Sequence, residues 1–295
     1  MARGPRSRVA GRIESDSWQR ARSSDSFARV RDTLSELRKR YIEEGRPLPA
    51  EIEIELRADP RAGARALLES IERRRKKNRA EGQRLRHMLR YERAIYATGV
   101  TRIAGVDEVG MSPLAGPVVS AAVILPRSFR LAGVDDSKKL DADTRSRLAA
   151  AIRREAICFA IGSATPEEID RINIYRAGLL SMRRAIEGLD PAPEHVLIDA
   201  RRLDEVELPQ TPIIHGDAES FTIAAASLVA KVYRDALMVE LDRTYPGYWL
   251  AKHKGYPVRE HQDALMEMGV TPIHRRSFAP VRRALKIDPE QMDLF

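Results

Sequence analysis

The chain has 295 residues, 43% of them apolar, which is enough for one sizeable core and an appendage. No apolar run approaches the ~18 residues of a membrane span, no apolar h-region follows the Arg- and Ser-rich start, and the single cysteine excludes an internal disulfide. The net charge of +8 is uneven: residues 1–100 hold 25 Lys and Arg against 15 Asp and Glu, and the rest of the chain is close to neutral. These features suit a cytoplasmic protein with a polyanionic partner and Cys158 in its core. The alternative for the basic third is a solvated helical face.

In chain order, residues 1–25 are Arg-, Ser- and Gly-rich without periodicity and are expected to be disordered. A basic helical extension over 26–98 follows. Phe27, Val30, Leu34, Leu37 and Tyr41 have helical spacing, and "GRPLPAE" breaks the pattern. A second helix is predicted with Asp59 as N-cap and Pro60 at its first position. Leu67, Leu68 and Ile71 form its stripe, "RRRKKNR" follows, and a third pattern holds Leu85, Met88, Leu89, Tyr91 and Ile95. No internal repeat is visible.

Residues 99–283 read as an α/β domain. "RIAGVDEV", "GPVVSAAVIL" and "ICFAIGSA" are predicted strands with short connections, as in an antiparallel meander. "TPEEIDRINIYRAGLLSMRRAIEGL" is predicted as one long helix opened by the capping box of Thr165 and Glu168. "HVLIDA" is a buried strand, a second long helix runs from about Ser220 to Arg243, and "HQDALMEMG" gives another. The fold class is a mixed sheet flanked by helices, ending in a polar tail over 284–295.

Acids recur where such a sheet assembles its sites. Asp107 and Glu108 end the first strand, Asp199 ends "HVLID", and Asp217 precedes the second long helix. Four carboxylates in one cleft would repel one another, and a hard divalent cation, Mg²⁺ or Mn²⁺, resolves that conflict. Two such ions about 3.5–4 Å apart make a phosphodiester-cleaving centre. The alternatives are a surface pair for Asp107 and Glu108 and a simple helix cap for Asp217. Asp235 lies 18 residues beyond Asp217, about 27 Å along a continuous helix, and is read as structural. His253, His261 and His274 are read as packing or phosphate-contacting residues.

Seven blocks in order, "GVDEVGMSPLAGPVVSAAVIL", "DSKKL", "NIYRAGLLSM", "VLIDA", "GDAESFTIAAASLVAKVYRD", "YPGYWLAKHKGYP" and "HRRSFAPV", resemble bacterial ribonuclease HII, the type 2 RNase H family. The resemblance covers about residues 100–283. It implies an RNase H-like fold that hydrolyses the RNA strand of RNA–DNA hybrids and nicks duplex DNA 5′ of an embedded ribonucleotide, leaving 3′-hydroxyl and 5′-phosphate ends. The family's ligands for two ions fall on Asp107, Glu108, Asp199 and Asp217. Its ribose-reading tyrosine falls on Tyr256, and Lys138 and Lys139 are expected to face phosphate. Where the family has a Gly-Arg-Gly loop, this chain has Gly110, Met111 and Ser112, so the Arg charge and the second glycine's freedom are lost.

Two other readings remain: a non-catalytic hybrid-binding protein, which the altered loop keeps open, and ribonuclease HIII, which normally carries an N-terminal sheet domain. The last five residues, "QMDLF", resemble the pentapeptide that docks replication and repair proteins on the sliding clamp. Gln291, Leu294 and Phe295 would be its anchors; the alternative is a tail packed on its own domain. The chain is otherwise expected to be a monomer.

Overall fold

The computed structural model describes residues 32–286. The expected disordered segment, Phe27 and Val30 of the first stripe, and Gln291, Leu294 and Phe295 lie outside the described residues. The chain divides into two units at Arg79 and Ala80.

In the first unit, α1 (Leu34–Arg38) is opened by a capping box between Thr33 and Glu36 and runs into a π-helical turn at Lys39–Glu43. α2 (Ala50–Ala58) is an element the sequence reading lacks. Its Glu-Ile alternation has the period of a strand, and only Leu56 is buried in it. α3 (Ala62–Met88) begins beyond Asp59 and Pro60 and runs unbroken through the basic run, and its residues from Ala80 onward belong to the second unit. Asp59 accepts instead from the Arg61 N–H at 3.0 Å and from the Arg61 guanidinium. Leu37, Tyr41, Leu48, Leu56, Leu67 and Ile71 form a small separate core. Part of the basic run works inside this unit. Arg74 donates to the Ile42 and Arg46 carbonyls, both at 3.2 Å, and Arg75 pairs with Glu53 at 2.6 Å.

After the end of α3, the second unit continues with α4 (Arg90–Tyr96), β1 (Ile103–Val109) and β2 (Val118–Ile124). A short 3₁₀ turn at Ser137–Lys139, α5 (Ala142–Glu155) and β3 (Cys158–Ala164) follow. Then come α6 (Pro166–Ile172), α7 (Ile174–Glu187), β4 (His195–Asp199) and β5 (Gln210–Ile213). α8 (Gly216–Glu219), α9 (Phe221–Thr244), α10 (Leu250–His253), α11 (Arg259–Met268) and α12 (Ala279–Leu285) complete it.

The sheet has the order β3-β2-β1-β4-β5. The first three strands pair antiparallel, as expected, whereas β4 and β5 run parallel to β1. Two expectations change. The link between β2 and β3 is not short, since it carries α5. The single long helix is two, α6 and α7, parted at Asn173. Asn173 combines a positive φ of 69° with an extended ψ of 163°, which breaks the helical path, and its side chain accepts the Arg176 N–H at 3.0 Å to restart the helix. Cys158 is only partly buried, at the margin of the core on the edge strand β3.

The period of two along the strands sorts their side chains. Ala104, Val106, Ile124, Val196 and Ile198 pack on Met182 and Ala185 of α7. Ala121 and Val123 face α5 and α9 on the other side. Gly105 is where α9 approaches the sheet most closely: a Cβ there would lie 2.2 Å from the Thr222 carbonyl carbon. The first half of α9, from Phe221 to Ala230, is buried all round.

The contact division at 79–80 lies ahead of the expected domain boundary at 98–99, because the end of α3 and α4 pack within the second unit. Glu92, 2% exposed, accepts from Ser220 Oγ at 2.7 Å and from the Thr222 N–H at 2.9 Å. Ser220 is also the N-cap of α9, so a carboxylate sits at the positive end of that helix. Arg90 holds the last residue of α8, donating to the Glu219 carbonyl at 3.0 Å and pairing with its carboxylate. Replacing Glu92 by Ala would leave a buried N–H and a buried hydroxyl unpaired. Urea unfolding of Glu92→Ala should show a loss of about 1–3 kcal/mol; an unchanged midpoint would show that α4 does not brace α9.

Candidate active site

β1 and β4 run parallel, so both end on the same side of the sheet, where Asp107, Glu108 and Asp199 meet. One oxygen from each of these carboxylates lies within 4.8 Å of the others. Asp107 follows the parity of Ile103 and Gly105, toward α9, and Glu108 follows Ala104 and Val106, toward α7. The adjacent acids therefore straddle the strand end. The Asp107 carboxylate also accepts the Glu108 N–H at 2.8 Å. Left-handed residues turn the chain after each neighbouring strand, Ala200 (φ 55°) behind β4 and His215 (φ 56°) behind β5. Those turns bring the Gly216 N–H to Asp199 Oδ1 at 2.6 Å and set the start of α8 beside β4.

The electrostatics match the crowding. Burial, then the neighbouring Glu108, hold Asp107 well above the ordinary carboxylate range. Burial raises Glu108 as well, against the lowering influence of Arg201. Asp217 stands outside the three-carboxylate knot but within its field. It is raised by burial and by Asp136, and Lys138 faces it at 3.7 Å. One oxygen of Glu108 is buried without a hydrogen-bond partner. An oxygen-only donor set with an orphaned carboxylate oxygen and mutual repulsion fits a hard divalent cation.

The other expected residues divide. Lys138 borders the acids, whereas Lys139 turns to Asp135 at 3.5 Å. Tyr256 is partly exposed and lies close enough to two buried arginines, Arg234 and Arg275, to influence both. Gly110 has φ 93°, which Gly alone adopts easily, and Met111 packs toward Gly178 of α7. Asp235 pairs with Lys231 at 2.8 Å on α9, whereas Asp217 lies on the separate α8, so the two do not share the continuous helix on which the spacing argument depended. Asp217 is not the cap of that helix, since Ser220 is.

Sequence reading missed Arg201, two residues past Asp199. Its guanidinium lies 3.8 Å from Glu108 and 4.8 Å from the centre of the Tyr175 ring. A positive charge just after a strand-end acid was the available signal. It also missed Glu92, which reads as one more charge on a basic helix.

The three C-terminal histidines pack. His261 and His274 are buried, and their partners allow one neutral arrangement. The Thr271 N–H donates to His274 Nδ1 at 3.1 Å, so His274 Nε2–H donates to His261 Nε2 at 3.2 Å. His261 Nδ1–H then donates to the Tyr256 carbonyl at 3.0 Å. His253 takes the Gly255 N–H on Nδ1 and donates from Nε2 to the Tyr248 carbonyl at 2.8 Å.

The fold is that of a solved relative. The ribonuclease H2 of Pyrococcus horikoshii superposes with a TM-score of 0.53 at 24% identity, covering 63% of this chain and 97% of its own. The RNase HII of Archaeoglobus fulgidus, solved in a complex with PCNA, superposes with a TM-score of 0.53 at 26% identity, over 60% of this chain and 95% of that one. Sheet order and superposition together define an RNase H-like fold, with an acidic cluster at its strand ends.

A family model for Ribonuclease HII matches residues 104–281, and one for the Ribonuclease HII N-terminal domain matches 35–96. Curated relatives called Ribonuclease HII agree. One from Anaeromyxobacter is 60% identical over 90% of this chain and 84% of its own. Another from Myxococcus xanthus is 60% identical over 85% and 86%. The chain belongs to the ribonuclease HII family, and it is an endoribonuclease with RNase H activity. No helix among the described residues is long and apolar enough to cross a membrane.

The histidine chain yields a pH prediction. Burial, then His261, push His274 from 6.5 down to about 4. The folded state favours neutral imidazole, so its contribution is complete above 6.5 and lost as pH falls toward about 4. The raised carboxylates act in the opposite sense, losing their contribution as pH rises. Urea titrations across that window should show His274→Gln with a shallower acid loss than wild type, by up to about 1.4 kcal/mol per pH unit. Parallel curves would mean that the imidazole takes up its proton as readily in the folded protein as in the unfolded chain.

Proposed function

We propose that this chain cleaves RNA–DNA hybrids and nicks duplex DNA 5′ of embedded ribonucleotides through two divalent cations, Mg²⁺ or Mn²⁺, leaving 3′-hydroxyl and 5′-phosphate ends. The observation that carries this is the knot of Asp107, Glu108 and Asp199 at the ends of two parallel strands. Asp107, Glu108 and Asp199 would hold the metal, with Asp217 as the outer ligand. Bound cations supply a Lewis acid for the scissile phosphate and a more acidic water.

The chain's own groups do the rest. Lys138 is mostly exposed beside Asp217 and offers a flexible positive charge to a phosphate. Arg201 neutralises part of the Glu108 charge from the α7 side. Tyr256 and the backbone of Gly110, Met111 and Ser112 would form the surface that distinguishes a 2′-hydroxyl from hydrogen. Asp107→Asn and Asp199→Asn should each reduce hybrid cleavage more than about a hundredfold in Mg²⁺ and in Mn²⁺. In EDTA both should melt no lower than wild type, because a like charge has been removed from the cluster. Near wild-type cleavage in either variant would sink the metal assignment.

The C-terminal Gln291, Leu294 and Phe295 are proposed to dock the enzyme on the host's sliding clamp. The relative solved with PCNA supports that reading. Titration of the clamp should give binding by wild type and at least a tenfold loss, about 1.4 kcal/mol, in Leu294→Ala/Phe295→Ala. Equal binding by both, or none by wild type, would remove the idea and leave the catalytic reading intact.

A further inference from the structure

Arg234 on α9 and Arg275 ahead of α12 are both fully buried, and among the described residues neither forms an ion pair with a carboxylate. Every hydrogen-bond acceptor among the described residues is a backbone carbonyl, and Arg275 also lies over the Phe278 ring. Arg234 donates to Pro117 at 3.0 Å, to Ala115 at 3.1 Å and to Lys254 at 3.1 Å. Arg275 donates to Gly116 at 2.9 Å, to Met111 at 3.1 Å and to Gly110 at 2.6 Å. The two guanidiniums thus collect five carbonyls from the stretch 110–117 and one from the loop that ends in Tyr256.

Burying two like charges without a carboxylate is costly, and the cost is visible. Burial lowers Arg234 to about 10 and Arg275 to about 9, which still leaves both cationic at neutral pH. A glutamate beside each would relieve the charge, but it could not do what the carbonyls do. Because the carbonyls turn inward, the backbone of both loops is fixed from beneath, and those oxygens are withdrawn from the surface that meets phosphate and ribose. Further bonds tie the loops together. The Leu114 N–H donates to the Gly255 carbonyl at 2.7 Å, and the Arg275 N–H donates to the Leu114 carbonyl at 2.9 Å. Gly110 rests directly on Arg234: a Cβ there would lie 2.3 Å from Nε.

We propose that Arg234 and Arg275 are the positioning residues for ribose recognition, locking the Gly110–Pro117 and Lys254–Tyr256 loops into one rigid reading surface. The inference rests on those loops being that surface. It goes further in placing the determinant of their geometry in the core rather than in the loop side chains. Met111 and Ser112 can then stand in the loop because its path is set by carbonyls, which every residue has. A forked guanidinium spans three acceptors at once, and a lysine ammonium keeps the charge without that geometry.

The test uses the full-length protein and four chains: wild type, Arg234→Lys, Arg275→Lys and Tyr256→Phe. Binding is read by fluorescence anisotropy in Ca²⁺, on duplex DNA with one ribonucleotide and on the same duplex without it. The kcat and KM for the single-ribonucleotide duplex and for a continuous hybrid are read alongside. Each lysine variant should lower the ribonucleotide-to-deoxynucleotide affinity ratio about tenfold, and the single-ribonucleotide kcat/KM should fall more than that of the hybrid. Tyr256→Phe should lower the same affinity ratio.

A wild-type ratio in both lysine variants, with a lowered ratio in Tyr256→Phe, would overturn the role of the arginines and leave the reading surface in place. A wild-type ratio in Tyr256→Phe and in both lysine variants would overturn the reading surface, and this inference with it. Should the lysine variants fail to fold, hydrogen exchange of the wild type decides. One common opening rate for peptides covering 110–117 and 253–258 supports the proposal, and separate rates overturn it.

Discussion

Mutual repulsion among the buried carboxylates of Asp107, Glu108 and Asp199 is the constraint around which the second unit is organised. The parallel pairing of β1 with β4 ends two strands together and forces the acids into one place. Whatever surrounds them must tolerate or offset that charge. Lys138 approaches through Asp217, and Arg201 approaches Glu108 over the face of Tyr175. The remaining negative charge is what a bound cation would offset in the proposed function. The same strands bury almost all their other side chains, which keeps the acids from spreading apart.

Support for the substrate surface comes from the opposite charge, placed lower. Beneath the loops lie two guanidiniums bonded only to carbonyls, and beside them runs a chain of neutral histidines ending on the Tyr256 carbonyl. The two systems differ in kind. The acids are held near one another by strand geometry, whereas the loops are held by hydrogen bonds from long side chains of α9 and of the segment before α12. The strand-end carboxylates and the loops proposed to read ribose can therefore be perturbed separately.

Much of this was legible in the sequence, and the failures have physical reasons. Asp107, Glu108 and Asp199 could be found because a buried strand tolerates a charge at its end only with a partner. The helix from about Ser220 could be placed, although the cap offered for it was Asp217 and not Ser220, and the capping box of Thr165 and Glu168 stands as read. The break at Asn173 was not legible, because Ile172 and Ile174 continue an apolar pattern that suits one helix or two. α2 hid behind an alternation of Glu and Ile with the period of a strand. Arg234 and Arg275 sat in quoted blocks, yet a buried arginine and an exposed one look alike until its acceptors are known. The basic run at 73–79 suggested a nucleic-acid patch, and two of its arginines proved to be bonded within their own unit.

Glu92 has a consequence for how such a chain can be inherited. The region matched by the N-terminal domain model ends at residue 96, but the structural division falls at 79–80, so α4 belongs to one by sequence and to the other by packing. An extension exchanged as a cassette at the sequence seam would carry Glu92 away from Ser220 and Thr222. The recipient would receive a helix whose acid has no hydroxyl to meet, and the donor would keep a helix start with no acid over it. Recombination between relatives should therefore succeed upstream of Ala80 and fail between α4 and β1, unless both sides of that contact travel together.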